Sequence, residues 1–166
     1  MFYERVFREL NERKIAYVVA GGMAVNLHGF VRGTMDLDIV LLLEDANISK
    51  FIDMVRDMGF KPRVPVMLAD FAKESARTFW IGEKGVKVFC VYNPERAFEQ
   101  IDVMIDTGVD FRDLDKRKVV VSVHGIDVPL VSIEDLIDMK RRVGRPVDLI
   151  DVERLRQLME LDDEHA

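Results

Sequence analysis

The chain has 166 residues, enough for one domain with a full buried core. Hydrophobic residues make up 49% and charged residues 33%, an ordinary globular balance, and the formal net charge of −6 argues against a protein that coats nucleic acid non-specifically. A single cysteine, Cys90, excludes an internal disulfide and a cysteine-based zinc site, and no segment approaches the roughly 20 apolar residues of a membrane helix.

The elements follow from periodicity. Phe2, Val6, Phe7 and Leu10 recur at helical spacing and predict a helix over 2–13. Ile15 to Ala20 reads as a strand, and Gly21-Gly22 opens a short helix, Met23 to His28, that stops at Gly29. His28, at that helix end, reads first as a cap or a packed side chain. Met35 to Leu43 is the next strand, and Ile48, Phe51, Ile52 and Val55 mark a helix ending at Gly59. Pro62 and Pro65 break the chain. A helix over 66–76 is expected next, then a β-hairpin pairing Thr78–Ile81 with Val86–Val91 around Gly82 and Gly85. Cys90 reads as a buried strand thiol. Phe98 to Ile105 is a strand with alternating Ile101, Val103 and Ile105. A second hairpin joins Val119–Val123 to Ile126–Val131 through His124-Gly125. Ser132 caps a helix with acidic residues in its first turn, running to about Val143. Gly144 and Pro146 break it, and a last helix runs to about Leu161, leaving the acidic end, 162–166, as the one segment expected to be disordered. The order predicts an α/β or α+β domain over 1–166 with a mixed sheet flanked by helices and a C-terminal helical segment, 132–161.

The chemistry-bearing residues cluster around the second strand. On a strand, Asp36 and Asp38 share one face while Leu37 and Ile39 enter the core, with Cα atoms roughly 7 Å apart. Paired carboxylates so placed are suited to Mg²⁺ or Mn²⁺, hard cations that take oxygen ligands together with substrate phosphates. A third carboxylate is best supplied by Asp102, on the strand face opposite Ile101 and Val103, with Asp106 as second choice. Three converging carboxylates repel without a cation, which would raise at least one pKa. Gly21 and Gly22, between strand and helix, allow close approach of phosphate to backbone N–H groups. Arg32 and Thr34 precede the acid pair and could contact phosphate or base. Lys140-Arg-Arg142 with Arg145 forms a local basic patch, readable equally as a solvated helix face. Asp148 and Asp151 are readable equally as catalytic residues and as ion-pair partners of Arg145 or Lys140.

Taken together, Val18 to Gly29 and Arg32-Gly-Thr-Met-Asp-Leu-Asp-Ile39 resemble the minimal nucleotidyltransferases of the DNA polymerase β-like superfamily. The Arg-x-Thr-x-Asp-Leu-Asp variant is similar to their AbiEii-like and uncharacterised bacterial–archaeal branch, as is the segment from Val131 through Lys140, Arg145 and Asp148. The resemblance implies two-metal transfer of a nucleoside monophosphate from an NTP to a hydroxyl of a tRNA, a protein or a small molecule. Asp36, Asp38 and Asp102 would bind metal and act in catalysis. Gly21, Gly22, Arg32, Thr34, Lys140 and Asp148 would hold the nucleotide. Gly22 stands where many active members have serine. A partner protein in a two-gene toxin–antitoxin module and a cytoplasmic location are expected, with no membrane association. The alternative is a nucleotide- or metal-binding partner protein that keeps the fold without turnover.

Overall fold

A computed structural model describes residues 1–166. In chain order the elements are α1 (Phe2–Glu12), β1 (Tyr17–Val19), α2 (Gly21–Leu27), β2 (Leu37–Leu41), α3 (Asp45–Asp57), β3 (Lys61–Pro62), α4 (Leu68–Phe71), α5 (Glu74–Lys84), β4 (Val88–Asn93), β5 (Arg96–Met104), α6 (Phe111–Arg117), β6 (Val119–Val123), β7 (Ile126–Leu130), α7 (Ile133–Val143) and α8 (Pro146–His165). The strands form one seven-stranded sheet in the order β3-β4-β5-β2-β1-β7-β6. It is mixed: β2 runs parallel to β5 and β1 parallel to β7, while the other neighbours are antiparallel.

Strand alternation divides the sheet into two unlike faces. Leu37, Ile39 and Leu41 of β2, Ile101 and Val103 of β5, and Phe89 and Val91 of β4 point to one face and are almost fully buried. α3, α4 and α5 close over it through an aromatic stack: Phe71 lies 4.3 Å from Phe89, Trp80 5.7 Å from Phe89 and Phe51 6.3 Å from Phe71. Each fully buried aromatic or branched side chain contributes about 1.5–3 kcal/mol to this core. The opposite face carries Asp38, Cys90, Tyr92, Gln100, Asp102 and Met104, all only partly buried. α2, α7 and the start of α8 cover its β2 side, while β3, β4 and much of β5 stay open there.

Several local expectations hold for their stated reasons. Ser132 accepts from the Asp135 N–H and Gly144 ends α7 in a left-handed conformation. His124 (φ 48°) and Gly125 (φ 78°) form the tight turn between β6 and β7. His28 is the C-cap of α2, and its Nε2–H donates to the Val131 carbonyl at 2.7 Å.

Others are corrected. Thr78–Ile81 is not a strand but part of α5: Gly85 caps that helix in the left-handed conformation (φ 61°), and Trp80 is drawn onto Phe89 from a helix. The helix expected over 66–76 is two, α4 and α5, broken at Lys73. α6, whose N-cap Asp110 accepts from the Arg112 N–H, and the two-residue strand β3 went unforeseen. The acidic C-terminus continues α8 to His165 rather than unravelling. Cys90 is only partly buried, because it lies on the open face and not in the core.

Candidate functional site

Asp38 and Asp102 are directly opposite one another in the parallel register of β2 and β5. Both belong to the open-face set, so their carboxylates face the same side of neighbouring strands. Asp36 departs from expectation: β2 begins at Leu37, so Asp36 lies just ahead of the strand, exposed, at the end of the loop from Gly29. Tyr3 of α1 fastens that loop by donating its hydroxyl to the Met35 carbonyl at 2.5 Å.

The carboxylates repel as the sequence implies. Burial, then Asp102 and Asp36, push the Asp38 carboxyl up to about 6, against the pull of Lys140 and Arg145. Asp102 is also raised, chiefly by burial. Gln100 partly offsets this by donating its amide to both Asp102 oxygens, at 3.1 and 3.3 Å. No three His, Cys, Asp or Glu side chains stand close enough together to hold a metal ion. The donor set is nonetheless all oxygen, and a cation beside Asp38 and Asp102 would offset the burial and the neighbouring like charge that raise both, so these residues fit Mg²⁺ or Mn²⁺.

The two glycines have separate steric reasons. Gly21 has φ +59°, and a Cβ there would overlap the Asp38 carboxylate, lying 2.6 Å from its Cγ. At Gly22 a Cβ would overlap the Arg32 guanidinium and lie 2.9 Å from the Thr34 hydroxyl. The turn is thus packed beneath the carboxylate on one side and beneath Arg32 and Thr34 on the other. The Ala20 N–H donates to the Asp38 carbonyl at 2.9 Å, tying the turn to β2.

Lys140 and Asp148, placed in nucleotide binding by resemblance, lie in a buried charge network beside this turn. The Lys140 ammonium is 2.8 Å from Asp151 and 3.5 Å from Asp148. Arg32 Nε is 3.3 Å from the other Asp151 oxygen. Arg145 meets Asp148 through Nε at 2.7 Å and Nη2 at 3.2 Å, and its backbone N–H also donates to Asp148, closing a capping box at the start of α8. Burial raises the Asp148 carboxyl, but the Arg145 hydrogen bonds and the Lys140 charge outweigh this and leave it lowered. Asp151 is fully buried and joins α8 to α7 through Lys140 and to the Gly29–Asp36 loop through Arg32. A cleft between network and carboxylates is lined by Gly21, Asp38, Met104, Lys140, Arg145 and Asp148 among others. Of the nine residues singled out, Gly21, Asp38, Lys140 and Asp148 meet at this cleft, Gly22, Arg32 and Thr34 pack together behind the turn, and Asp36 and Asp102 flank Asp38. Sequence reading weighed Asp151 equally as a catalytic residue and as an ion-pair partner of Arg145 or Lys140; here it pairs with Lys140 and, unforeseen, with Arg32.

No protein-family model matches the chain, and comparison with curated proteins finds no match either. Solved structures do resemble it. The lincosamide antibiotic adenylyltransferase LnuA, lincomycin-bound, is similar with a TM-score of 0.64 at 16% identity, over 95% of this chain and 96% of that one. ANT(2'')-Ia in complex with adenylyl-2''-tobramycin has a TM-score of 0.57 at 14% identity, over 99% and 97%. An antigenic nucleotidyltransferase-like protein from Paracoccidioides brasiliensis has a TM-score of 0.53 at 15% identity, over 94% and 72%. The chain therefore has the nucleotidyltransferase fold, an α/β architecture on a mixed seven-stranded sheet.

Proposed function

We propose that this chain is a nucleotidyltransferase that moves a nucleoside monophosphate from an NTP to an acceptor hydroxyl and releases pyrophosphate. The observation that carries this reading is the register pairing of Asp38 with Asp102 beside a glycine turn packed against the Asp38 carboxylate. Asp36, Asp38 and Asp102 would hold Mg²⁺ or Mn²⁺. When bound, the ions neutralise phosphate charge and lower the pKa of the attacking hydroxyl. The backbone at Gly21 and Gly22 receives the triphosphate, which glycine lets approach closely. Arg32, Thr34, Lys140 and Arg145 surround that turn with donors and positive charge, and Asp148 holds Arg145 toward it. The acceptor oxygen bonds to the α-phosphorus as the bond to the bridging β-phosphate oxygen breaks. The hydroxyl proton passes to the Asp102 carboxylate.

Residues 1–166 act as one domain in this reading, in the cytoplasm, within the AbiEii-like branch and with a partner protein encoded beside it as in a toxin–antitoxin pair. Incubation with each α-labelled NTP, Mg²⁺ or Mn²⁺, and fractionated cellular RNA, protein or small molecules tests it. Label transferred by wild type and lost in Asp38→Asn and Asp102→Asn is the expected result. A second reading, a nucleotide-binding protein without turnover, draws on the absence of three metal-competent side chains within reach of one another. NTP binding with no transfer to any fraction would favour it over the first.

A further inference from the structure

The transferase reading leaves unexplained a row of side chains that runs from Asp102 across the open half of the sheet. Arg63, just past β3, stacks its guanidinium over the Tyr92 ring, 4.7 Å from the centroid. Its Nη2 donates to Gln100 Oε1 at 2.8 Å, and the Gln100 amide donates in turn to Asp102. Gln100 can do both only if its oxygen faces Arg63 and its nitrogen faces Asp102, so the two contacts fix its orientation. The backbone supports the row: Lys61 and Tyr92 are register partners, Tyr92 pairs with Gln100, and the Arg63 N–H donates to the Cys90 carbonyl at 3.0 Å.

Arg63 is thus an exposed cation held in one orientation by an aromatic face and an amide, without an ion-pairing carboxylate. A long side chain so restrained has already lost much of the rotamer freedom it would lose on binding an anion. Lys61 lies on the same face, and the only carboxylate in that row of β3, β4 and β5 is Asp102 itself. Beyond Asp102 that row is therefore positive, in a chain of net charge −6. A guanidinium takes phosphate with two parallel N–H donors, whereas a polyamine such as tobramycin would meet Lys61 and Arg63 with like charge.

We infer that Arg63 is a specificity-determining residue that selects acceptors carrying a phosphate on the sugar whose hydroxyl reacts. The inference rests on the transferase reading in placing that hydroxyl at Asp102. Gln100 is a positioning residue that sets the guanidinium one amide group away from the Asp102 carboxylate. Two acceptor sources share the chemistry: the hydroxyl end of a short single-stranded RNA, and a free sugar phosphate.

The test is direct binding, with the donor site first filled by a non-hydrolysable NTP analogue and Mg²⁺. Anisotropy of a labelled oligoribonucleotide with a free 3′-hydroxyl, displaced by ribose 5-phosphate or by ribose, compares wild type with Arg63→Ala and Arg63→Lys. Wild type should bind ribose 5-phosphate at least about tenfold more tightly than ribose, a ratio that Arg63→Ala abolishes and Arg63→Lys partly restores. An oligoribonucleotide far tighter than ribose 5-phosphate identifies the RNA end; comparable affinities identify the sugar phosphate, and either supports the inference. Equal binding of ribose and ribose 5-phosphate by wild type, or a preference that survives Arg63→Ala, overturns it. Calorimetry of NTP binding to wild type and Arg63→Ala separates the two readings. Loss in wild type sinks the transferase, whereas equal NTP binding by both proteins with no phosphate preference sinks only the role of Arg63.

Discussion

Lys140, Asp148 and Asp151 are as buried as core leucines, yet each has an opposite charge within 3.5 Å. Asp38 and Asp102, a few residues away across the cleft, are less buried and face other carboxylates. In the first cluster every charge is paired: Lys140, Arg32 and Arg145 surround two aspartates, and three elements are tied together through them. The second is open, with charge that nearby cations offset only in part. The contrast teaches what each cluster does for the molecule. A paired buried network holds helices and loop in one arrangement, whereas a carboxylate pair without matching cations lowers stability and is explained by what it binds.

The strongest way to break this contrast is to unpair the first cluster. Asp151→Leu leaves Lys140 and Arg32 without their shared partner and should cost about 3–5 kcal/mol in urea denaturation, since removing one member strands buried charge. Asp38→Asn should do the reverse. A carboxyl whose folded pKa is about 6, above its unfolded value, contributes stability that is present at low pH and lost as pH rises through 6. The variant should therefore be more stable than wild type by on the order of 2–3 kcal/mol at pH 7.5, and the difference should vanish near pH 4. Asp148, with its lowered pKa, has the opposite sign and loses its contribution only as pH falls below the usual carboxylate range.

Gly21→Ala brings the two clusters into conflict by pushing a methyl group toward Asp38 from a left-handed backbone. A loss of about 1–3 kcal/mol, read by thermal melting, is expected. The smallest effect sharpens the comparison. Millimolar Mg²⁺ should stabilise wild type by about 1–2 kcal/mol through selective binding to the folded state, EDTA should remove that gain, and Asp38→Asn/Asp102→Asn should not show it. A melting temperature insensitive to Mg²⁺ and Mn²⁺ in wild type would remove the carboxylates' assignment as metal ligands.

Legibility in the sequence followed the range of the forces involved. Ser132, Gly144 and the His124-Gly125 turn could be read because a cap or a tight turn depends on two to four adjacent residues. β5 could be read because alternation marks a strand buried on one face, and β2 because the apolar run Ile39 to Leu43 marks a central strand. α5 could not: Thr78-Phe-Trp-Ile81 has the composition of a strand, and only packing of Trp80 on Phe89 makes a helix the better use of those residues. α6 was hidden because its single fully buried residue, Leu114, leaves no periodicity to detect.

By itself the sequence carried the resemblance to nucleotidyltransferases, through Val18 to Gly29 and Arg32 to Ile39 taken together, and the short list of residues around Gly21-Gly22 and Asp38, because a turn and the short strand after it are set by neighbouring residues. Tertiary structure alone decided that Asp38 is opposite Asp102, that Arg32 lies over Gly22 and reaches Asp151, and that Arg63 extends the Asp102 row across the open sheet. These are contacts between residues 10 to 119 positions apart, set by strand order and by which faces the helices leave uncovered.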